Sequence, residues 1–296
     1  MRLDQTHVRI RERNVLEILD LAFQVIRAYW RPLLFLTILG ALPWVLLNHW
    51  LTAWMLDFDR GGSDASVGYM WCRSLLVMIE APLGSLLIVA YLGHAVFDES
   101  PGLKRIFGDV WKGTSKLFWT LFCLRSVGPM LLLMLWSKFD EGEWNALRVF
   151  LIFVIFVWAL GLRLFRPFVV ELIVLEQPTW RSTDPLHPSF GQRSGQIHNA
   201  AAGVLFGRGL LYSLVMLVMI WVVYGGLATV FGFWGNNWFP SGLMMTVIWP
   251  ICMWLTNAYL TVARFLSYLD IRIRQEGWEV ELLIRAEAQK IEESLV

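Results

Sequence analysis

The sequence predicts an all-α membrane protein with six transmembrane helices, and three observations carry that prediction. Six apolar stretches, Leu33–Met55, Leu75–Phe97, Leu117–Trp136, Val149–Arg166, Leu210–Phe233 and Leu243–Phe265, each approach or exceed the roughly 20 residues a helix needs to cross the hydrocarbon core. The chain is 57% hydrophobic and 17% charged, with 17 Trp and 19 Phe in 296 residues, an apolar share above that of a soluble domain. Its basic residues alternate in side: twenty Lys and Arg fall in segments 1–31, 98–116, 163–208 and from Arg264 onward, against four (Arg60, Arg73, Lys138, Arg148) in the intervening loops. Such asymmetry should place the richer side, and both termini, in the cytoplasm.

The first fourteen residues are polar and carry no cleavage site after an apolar core, so the first span is expected to remain as an anchor. Net charge is +1, which gives no bulk basic character for nucleic acid. Trp50, Trp54, Trp71, Trp136, Trp144, Trp234 and Trp238 fall at outer ends and Trp30, Trp111 and Trp119 at inner ends, as in the aromatic belts at headgroup level. Trp44, Trp158, Trp221 and Trp254 lie deeper and read as packing or lipid-facing residues.

Three lead segments precede the spans in pairs. In the first, Glu17, Asp20, Gln24, Arg27 and Arg31 recur every three or four residues, one polar stripe on an otherwise apolar helix that should lie in the interface plane. Asn14 followed by Glu17 resembles a capping box. In the second, Ser100 and Pro101 suit a helix start, Leu103, Ile106, Phe107, Val110 and Trp111 share one face, and Gly113 stops the turn. The third, from Arg181 to Gly203, holds Pro185, Pro188, Gly191 and Gly195 and reads as a loop with at most a degenerate helix. The period of roughly 80–85 residues suits three helical hairpins, each preceded by a cytoplasmic interfacial segment; six spans whose loops merely share a length would show it too.

Past the sixth span, Asp270 with Arg274 and Arg272 with Glu276 are i, i+4 pairs of opposite sign, so the helix should continue into solvent until Gly277. Beyond it Val280, Leu283, Ile284, Ala288 and Ile291 form a second apolar stripe that needs a partner. The domain plan is therefore 1–31, cytoplasmic tail and interfacial helix; 32–268, six-helix membrane domain; and 269–296, cytoplasmic helix. Asp270, Arg272, Arg274, Glu276 and Trp278 are the candidate residues for a protein partner.

The segments ILDLAFQVIRAYWRPLL (18–34), RPFVVELIVLE (166–176) and YLDIRIRQEGWEVEL (268–282) together resemble the membrane region associated with glycerophosphoryl diester phosphodiesterases and related stand-alone bacterial multi-pass proteins. The resemblance implies a six-helix inner-membrane protein. It does not imply phosphodiesterase activity, which belongs to a separate soluble barrel; the chain ends about 30 residues after its last span and lacks the His-Arg-Gly type of motif that opens such a barrel.

Catalytic signatures are missing as well: the sequence contains no zinc helix of HExxH type, no phosphate loop, no GxSxG elbow and no CxxC pair. Cys72, Cys123 and Cys252 stand at unrelated depths and read as apolar packing. Among the histidines only His187 and His198 share a loop, without the carboxylates or thiolates a metal site requires. We expect no cofactor and no enzyme activity.

Ionisable residues inside spans are the functional candidates, because burying a charge in hydrocarbon is expensive. Arg125 stands eight residues into the third span and Asn257 eight residues from the inner end of the sixth, each about 12 Å deep. Arg163, Arg166 and Glu171 approach the same level, so an inner polar cluster of Arg125, Arg163, Arg166, Glu171 and Asn257 could bind an anionic headgroup, or could be ordinary basic anchoring. Glu80 is the one acid well inside a span, and Pro43, Pro82, Pro129 and Pro250 mark kinks. The leading expectation is a non-catalytic membrane subunit that organises a protein partner at the cytoplasmic face. Binding or translocation of a lipid or small anion through the inner cluster is the alternative.

Overall fold

The computed structural model describes residues 14–56, 62–96, 102–139, 146–181, 188–235 and 242–276, the side chains of 62–67, 275 and 276 excepted. Every regular element among them is helical: α1 (Val15–Ala28), α2 (Trp30–Thr52), α3 (Gly62–Gly84), α4 (Leu86–Ala95), α5 (Leu103–Lys112), α6 (Thr114–Leu117), α7 (Val127–Phe139), α8 (Ala146–Phe165), α9 (Val169–Glu171), α10 (Phe190–Ala200), α11 (Ala202–Gly235) and α12 (Trp249–Glu276). With no strand there, the described residues contain no phosphodiesterase barrel. Ser100, Pro101, Trp144, His187, Trp238, Gly277, Trp278 and the apolar stripe beyond lie outside the described residues, as does the Glu276 side chain.

Among the described residues five helices are long and apolar enough to cross a membrane: Trp30–Leu56, Gly68–Ala95, Ala146–Phe165, Ala202–Gly235 and Met244–Arg274. The expected third span is instead a bent pair, Thr114–Leu124 and Val127–Phe139, meeting at 54°; counted as one, it makes six. The bend has a local cause. Pro129 has no N–H to give the Arg125 carbonyl four residues back, Phe118–Leu124 is wound as a π-helix, and Ser126 turns through φ 65°.

Burial decides the architecture. The apolar windows of Gly68–Ala95 and Met244–Arg274 are 83% and 72% buried, whereas those of Trp30–Leu56, Ala146–Phe165 and Ala202–Gly235 are 22%, 17% and 11% buried. Two central helices are thus ringed by three that leave Phe35, Phe153, Leu217 and Trp221 on the outside, the pattern of a bundle in an apolar solvent. The centre is tight where glycines allow it: a Cβ on Gly40 would stand 2.1 Å from the Gly84 carbonyl oxygen, and one on Gly84 would meet the Trp254 ring at 2.3 Å.

The second long helix starts well before Leu75, so Arg73 is not a loop charge but is 1% exposed inside α3, and Arg148, also counted as outer-loop, is 1% exposed in α8 over the Trp136 ring. Pro250 explains part of this. It leaves the Thr246 carbonyl without its helical donor, and the Arg73 guanidinium lies 3.5 Å from that oxygen and 3.5 Å from the Val45 carbonyl.

Helices α1, α5 and α10 stand ahead of the long helices, their starts 88 and 87 residues apart. Helix α1 buries Ile18, Leu19 and Ala22 against α12, where the Tyr259 hydroxyl donates to the Leu19 carbonyl, and leaves Leu16 and Phe23 exposed beside its polar stripe. Asn14 occupies its N-cap but makes no side-chain capping bond, so the capping-box expectation does not hold. Helix α5 buries Ile106, exposes Leu103, Phe107 and Trp111, and is tied to α4 by His94 Nε2 and Asp109 Oδ2 at 2.7 Å; burial alone would raise the Asp109 carboxyl, but the His94 and Lys112 contacts hold it below its usual value.

The third lead segment corrects the sequence reading, since residues 190–200 form a full helix. Ser189 and Gln192 close a capping box, Ile197 and His198 are buried, and Arg193 Nε donates to Glu176 Oε2 at 2.6 Å. Tertiary anchoring outweighs the two glycines. A second correction falls at the end of α12: instead of running out as a solvated helix, it buries Asp270 and Ile271 at 4% and 3% exposure. Asp270 bonds Arg208 and Arg274, while Arg272 reaches Glu176 at 3.6 Å, so these expected partner-binding charges are engaged within the molecule.

Candidate functional site: a groove with an arginine base

Helices α8 and α11 touch near one end of the bundle, where Leu164 sits over Gly209 and Phe165 stacks on Phe206 at 5.5 Å. Gly209 makes this contact possible, because a Cβ there would stand 2.8 Å from Leu164 Cδ2. Beyond the contact a cavity of about 550 Å³ lies between the two helices, floored by α3 and α12. Its rim residues Trp71, Leu217 and Trp221 are 66%, 58% and 62% exposed, so the groove is open along its side.

Polar groups collect at the closed end. Arg163, Arg208, Tyr212, Asn257, Thr261, Arg264 and Ser267 line it there, whereas Met70, Met216, Ile220, Trp221, Trp249 and Met253 line the remainder. On α12 the residues Asn257, Leu260, Thr261, Arg264 and Ser267 recur at helical spacing, so one face of the helix supplies the floor.

The charges divide into paired and unpaired. Arg208 Nη2 donates to Asp270 Oδ2 at 2.6 Å and Nη1 to Ser267 Oγ at 2.7 Å, a buried pair that ties α11 to α12. Arg264 Nε donates to Glu171 Oε1 at 2.7 Å, and Glu171 is fully buried. Among the described residues Arg163 meets no carboxylate: its Nη1 donates to the Met78 carbonyl at 3.3 Å, the oxygen that Pro82 leaves without a helical donor. Arg125 donates to the Arg166 carbonyl at the end of α8. Arg125, Arg163 and Arg264 feel one another electrostatically, and among the described residues Glu171 is the one acid in the cluster, which leaves it with an excess of positive charge.

Arg264 Nη2 is buried with no hydrogen-bond partner and Arg264 lines the cavity; Glu171 Oε2, on the carboxylate that Arg264 Nε bonds, is unpartnered too, and the Tyr212 hydroxyl lies against Ser267. An unsatisfied buried donor costs about 1–3 kcal/mol, which an anion's oxygen at this place would recover.

The five sequence-derived candidates thus separate. Arg163 and Asn257 line the cavity; Glu171 and Arg125 stand behind it, the first on Arg264 and the second on a backbone carbonyl; Arg166 is exposed and contributes that carbonyl. Arg125 and Asn257, placed at matching depth by the sequence, share no hydrogen bond; Arg125 donates to the Arg166 carbonyl instead. Missed by the sequence reading were Arg264, Arg208 and Tyr212. Arg264 was legible, seven residues and two turns after Asn257 on the same face, but had been counted as a loop charge.

His198 closes the site from α10. Its Nε2 accepts the Phe168 N–H at 3.2 Å, so the proton sits on Nδ1, which donates to the Ser194 carbonyl at 2.8 Å. Burial, with Arg125 and Arg166 nearby, pushes its pKa down to about 4. This imidazole is neutral; Nε2 holds Phe168, a cavity residue, and Nδ1 is fixed by Ser194 within α10.

Away from the groove, Asn48 Nδ2 donates to Glu80 Oε2 at 2.7 Å, and both side chains are 1% exposed. Cys72, Cys123 and Cys252 are free thiols. No protein-family model, curated protein or solved structure matches the chain.

Proposed function

We propose that this protein is a non-catalytic, multi-pass membrane protein that binds, and can pass along its groove, an amphiphile with an anionic head. The head would lie against Arg163, Arg264 and Tyr212 and the apolar part along α8 and α11. The observation that carries this reading is the combination of one largely apolar cavity with Arg163, whose guanidinium is held by a backbone carbonyl alone, and the unpartnered Arg264 Nη2 at its polar end. An intramembrane charge without a carboxylate partner is a functional marker rather than a stabiliser.

Of the two functions expected from sequence, this is the alternative. The partner-scaffold reading has less support, because Asp270, Arg272 and Arg274 spend their charge on Arg208, Glu176 and one another. The likeness of segments 18–34, 166–176 and 268–282 to the phosphodiesterase-associated membrane region, a bacterial inner-membrane location and cytoplasmic termini belong to the same proposal, which puts the arginine base at the inner leaflet.

The test is the lipid retained on purification in mild detergent. Anionic lipid should be enriched over its share of the source membrane, and Arg163→Gln should remove that enrichment while leaving the melting temperature within a few degrees. Retained lipid of bulk composition, or a stoichiometric protein with no lipid, would return the scaffold reading to first place.

A further inference from the structure

Glu80, away from the groove, differs from the other buried acids of the bundle. Glu171 meets Arg264 at 2.7 Å and Asp270 meets Arg208 at 2.6 Å, whereas Glu80, 1% exposed within the span Gly68–Ala95, meets the neutral amide of Asn48. Among the described residues no cation stands within ion-pairing distance of it. Arg73, two turns earlier on the same face of α3, acts on it only through space: its Nη1 and Nη2 lie 3.5 Å from the Val45 and Thr246 carbonyls, and its Nε has no hydrogen-bond partner.

Cations on the helices packed about α3 are placed elsewhere. Lys138 on α7 reaches the Trp50 carbonyl, Arg148 and Arg163 on α8 the Trp136 ring and the Met78 carbonyl, Arg264 on α12 Glu171, and His94 on α4 Asp109, while His49 on α2 is exposed. Of the neutral titratable groups, Tyr69 lies against Thr52, and Cys72 and Cys252 are free thiols.

The hydrogen bonds point the same way. Asn48 Nδ2 donates to Glu80 Oε2 at 2.7 Å, which leaves Asn48 Oδ1 and Glu80 Oε1, two buried acceptors on the same joined pair, without a donor. One proton satisfies both, because a protonated carboxyl is itself a donor. A water donating to the two oxygens would fill the acceptors but leave a carboxylate charge in the apolar bundle, a cost that a buried acid escapes by taking up a proton. A sodium ion there would add a cation beside Arg73.

We infer that Glu80 is a proton-binding site: at neutral pH it is a carboxylic acid whose Oε1–H donates to Asn48 Oδ1 while Asn48 Nδ2–H donates to Glu80 Oε2, a neutral ring of two hydrogen bonds that joins α2 to α3. The close approach of Gly40 to the Gly84 carbonyl holds these two helices near enough for the ring to close.

The test is the infrared spectrum of the full chain in an ester-free maltoside detergent at neutral pH. A protonated carboxyl absorbs apart from a carboxylate, and its band should shift on isotope labelling of the glutamate side-chain carboxyl carbons and be lost in Glu80→Gln. That variant should melt within a few degrees of the wild type, since its amide supplies both bonds of the ring. Asn48→Leu should keep the band and move it to the position of an acid that donates no hydrogen bond; if Glu80→Gln does not fold, the labelled wild type and Asn48→Leu give the assignment. Absence of the band at neutral pH overturns the inference: Glu80 is then ionised and balances Arg73, and Glu80→Gln should melt much earlier. An unmoved band in Asn48→Leu overturns the ring. A band that appears only when sodium is withdrawn makes the site one for a metal cation and overturns the inference as well.

Discussion

Replacing Asp270 separates the charge that holds the bundle together from the charge that faces the groove. The Arg208 and Asp270 side chains are 5% and 3% exposed and their nearest atoms 2.6 Å apart. Removing one partner of such a pair costs about 3–5 kcal/mol, because the surviving charge is left buried and uncompensated, whereas replacing both with apolar groups is often neutral. Arg274 stands 3.2 Å from the same carboxylate but is 37% exposed, so its share is under about 1 kcal/mol. Asp270→Asn and Arg208→Met should each therefore lower stability by about 3–5 kcal/mol, or roughly 6–15 °C in melting temperature by the soluble-protein scaling. The double variant Arg208→Met/Asp270→Leu should recover most of that loss.

Binding should move the other way. Arg208 lines the groove, so Asp270→Asn adds a free cation to its base and should tighten anionic amphiphile binding even as the protein melts earlier. Thermal unfolding in nanodiscs, read with and without added lysophosphatidylglycerol, gives both quantities and the coupling between the two positions. A double variant that loses the sum of the single losses would refute the buried pair. A loss of binding in Asp270→Asn among the molecules that remain folded would show that the excess positive charge of the base does not attract the ligand.

Three further outcomes follow from named contacts. The folded pKa of His198 is depressed to about 4 from about 6.5, so the unfolded chain binds more protons between those values; its share of stability, about 3 kcal/mol, is present above pH 6.5 and lost as pH falls toward 4. His198→Gln should flatten that part of the pH profile of unfolding, and an unchanged profile would mean that the imidazole is not held neutral. Gly40→Ala should be strongly destabilising because its Cβ would meet the Gly84 carbonyl oxygen at 2.1 Å, whereas Gly207→Ala, with nothing within 4 Å, should be neutral or stabilising by up to about 1 kcal/mol in a melting assay. Spin labels at the exposed positions Leu16 and Gln24 of α1 should report an acyl and an aqueous environment respectively, and equal accessibility would remove the interfacial placement of that helix.

The sequence by itself determined that the chain is helical, where most of the membrane-length segments lie, and which prolines can kink them, whereas the 54° break of the third is seen only in the structure. These properties are local: hydropathy over about 20 residues and the donor that a proline lacks are both read within a single segment. The polar stripe of α1 and the Gly113 stop of α5 were legible for the same reason. Residues 190–200 were not, because their helix depends on Arg193 reaching Glu176 and on His198 reaching Phe168, contacts 17 and 30 residues away in the chain.

The site shows the division most clearly. Composition and spacing placed Arg125 and Asn257 at one depth and Arg163, Arg166 and Glu171 near it; in the structure Arg163 and Asn257 line one cavity and Glu171 bonds Arg264 behind it. Depth along a helix says nothing of rotation about its axis or of which helix stands opposite. Tertiary structure alone decided that Arg125 bonds the Arg166 carbonyl and not Asn257, that Glu171 neutralises Arg264, and that Arg163 rests on the oxygen left open by Pro82. It also gave Arg208 to Asp270, 62 residues away. A charge in an apolar bundle takes whichever partner the packing brings within about 3 Å, and the packing is set by small features such as Gly84 under Trp254 and Gly209 under Leu164. Those contacts join distant segments, so the groove they leave open has no signature in any one stretch of sequence.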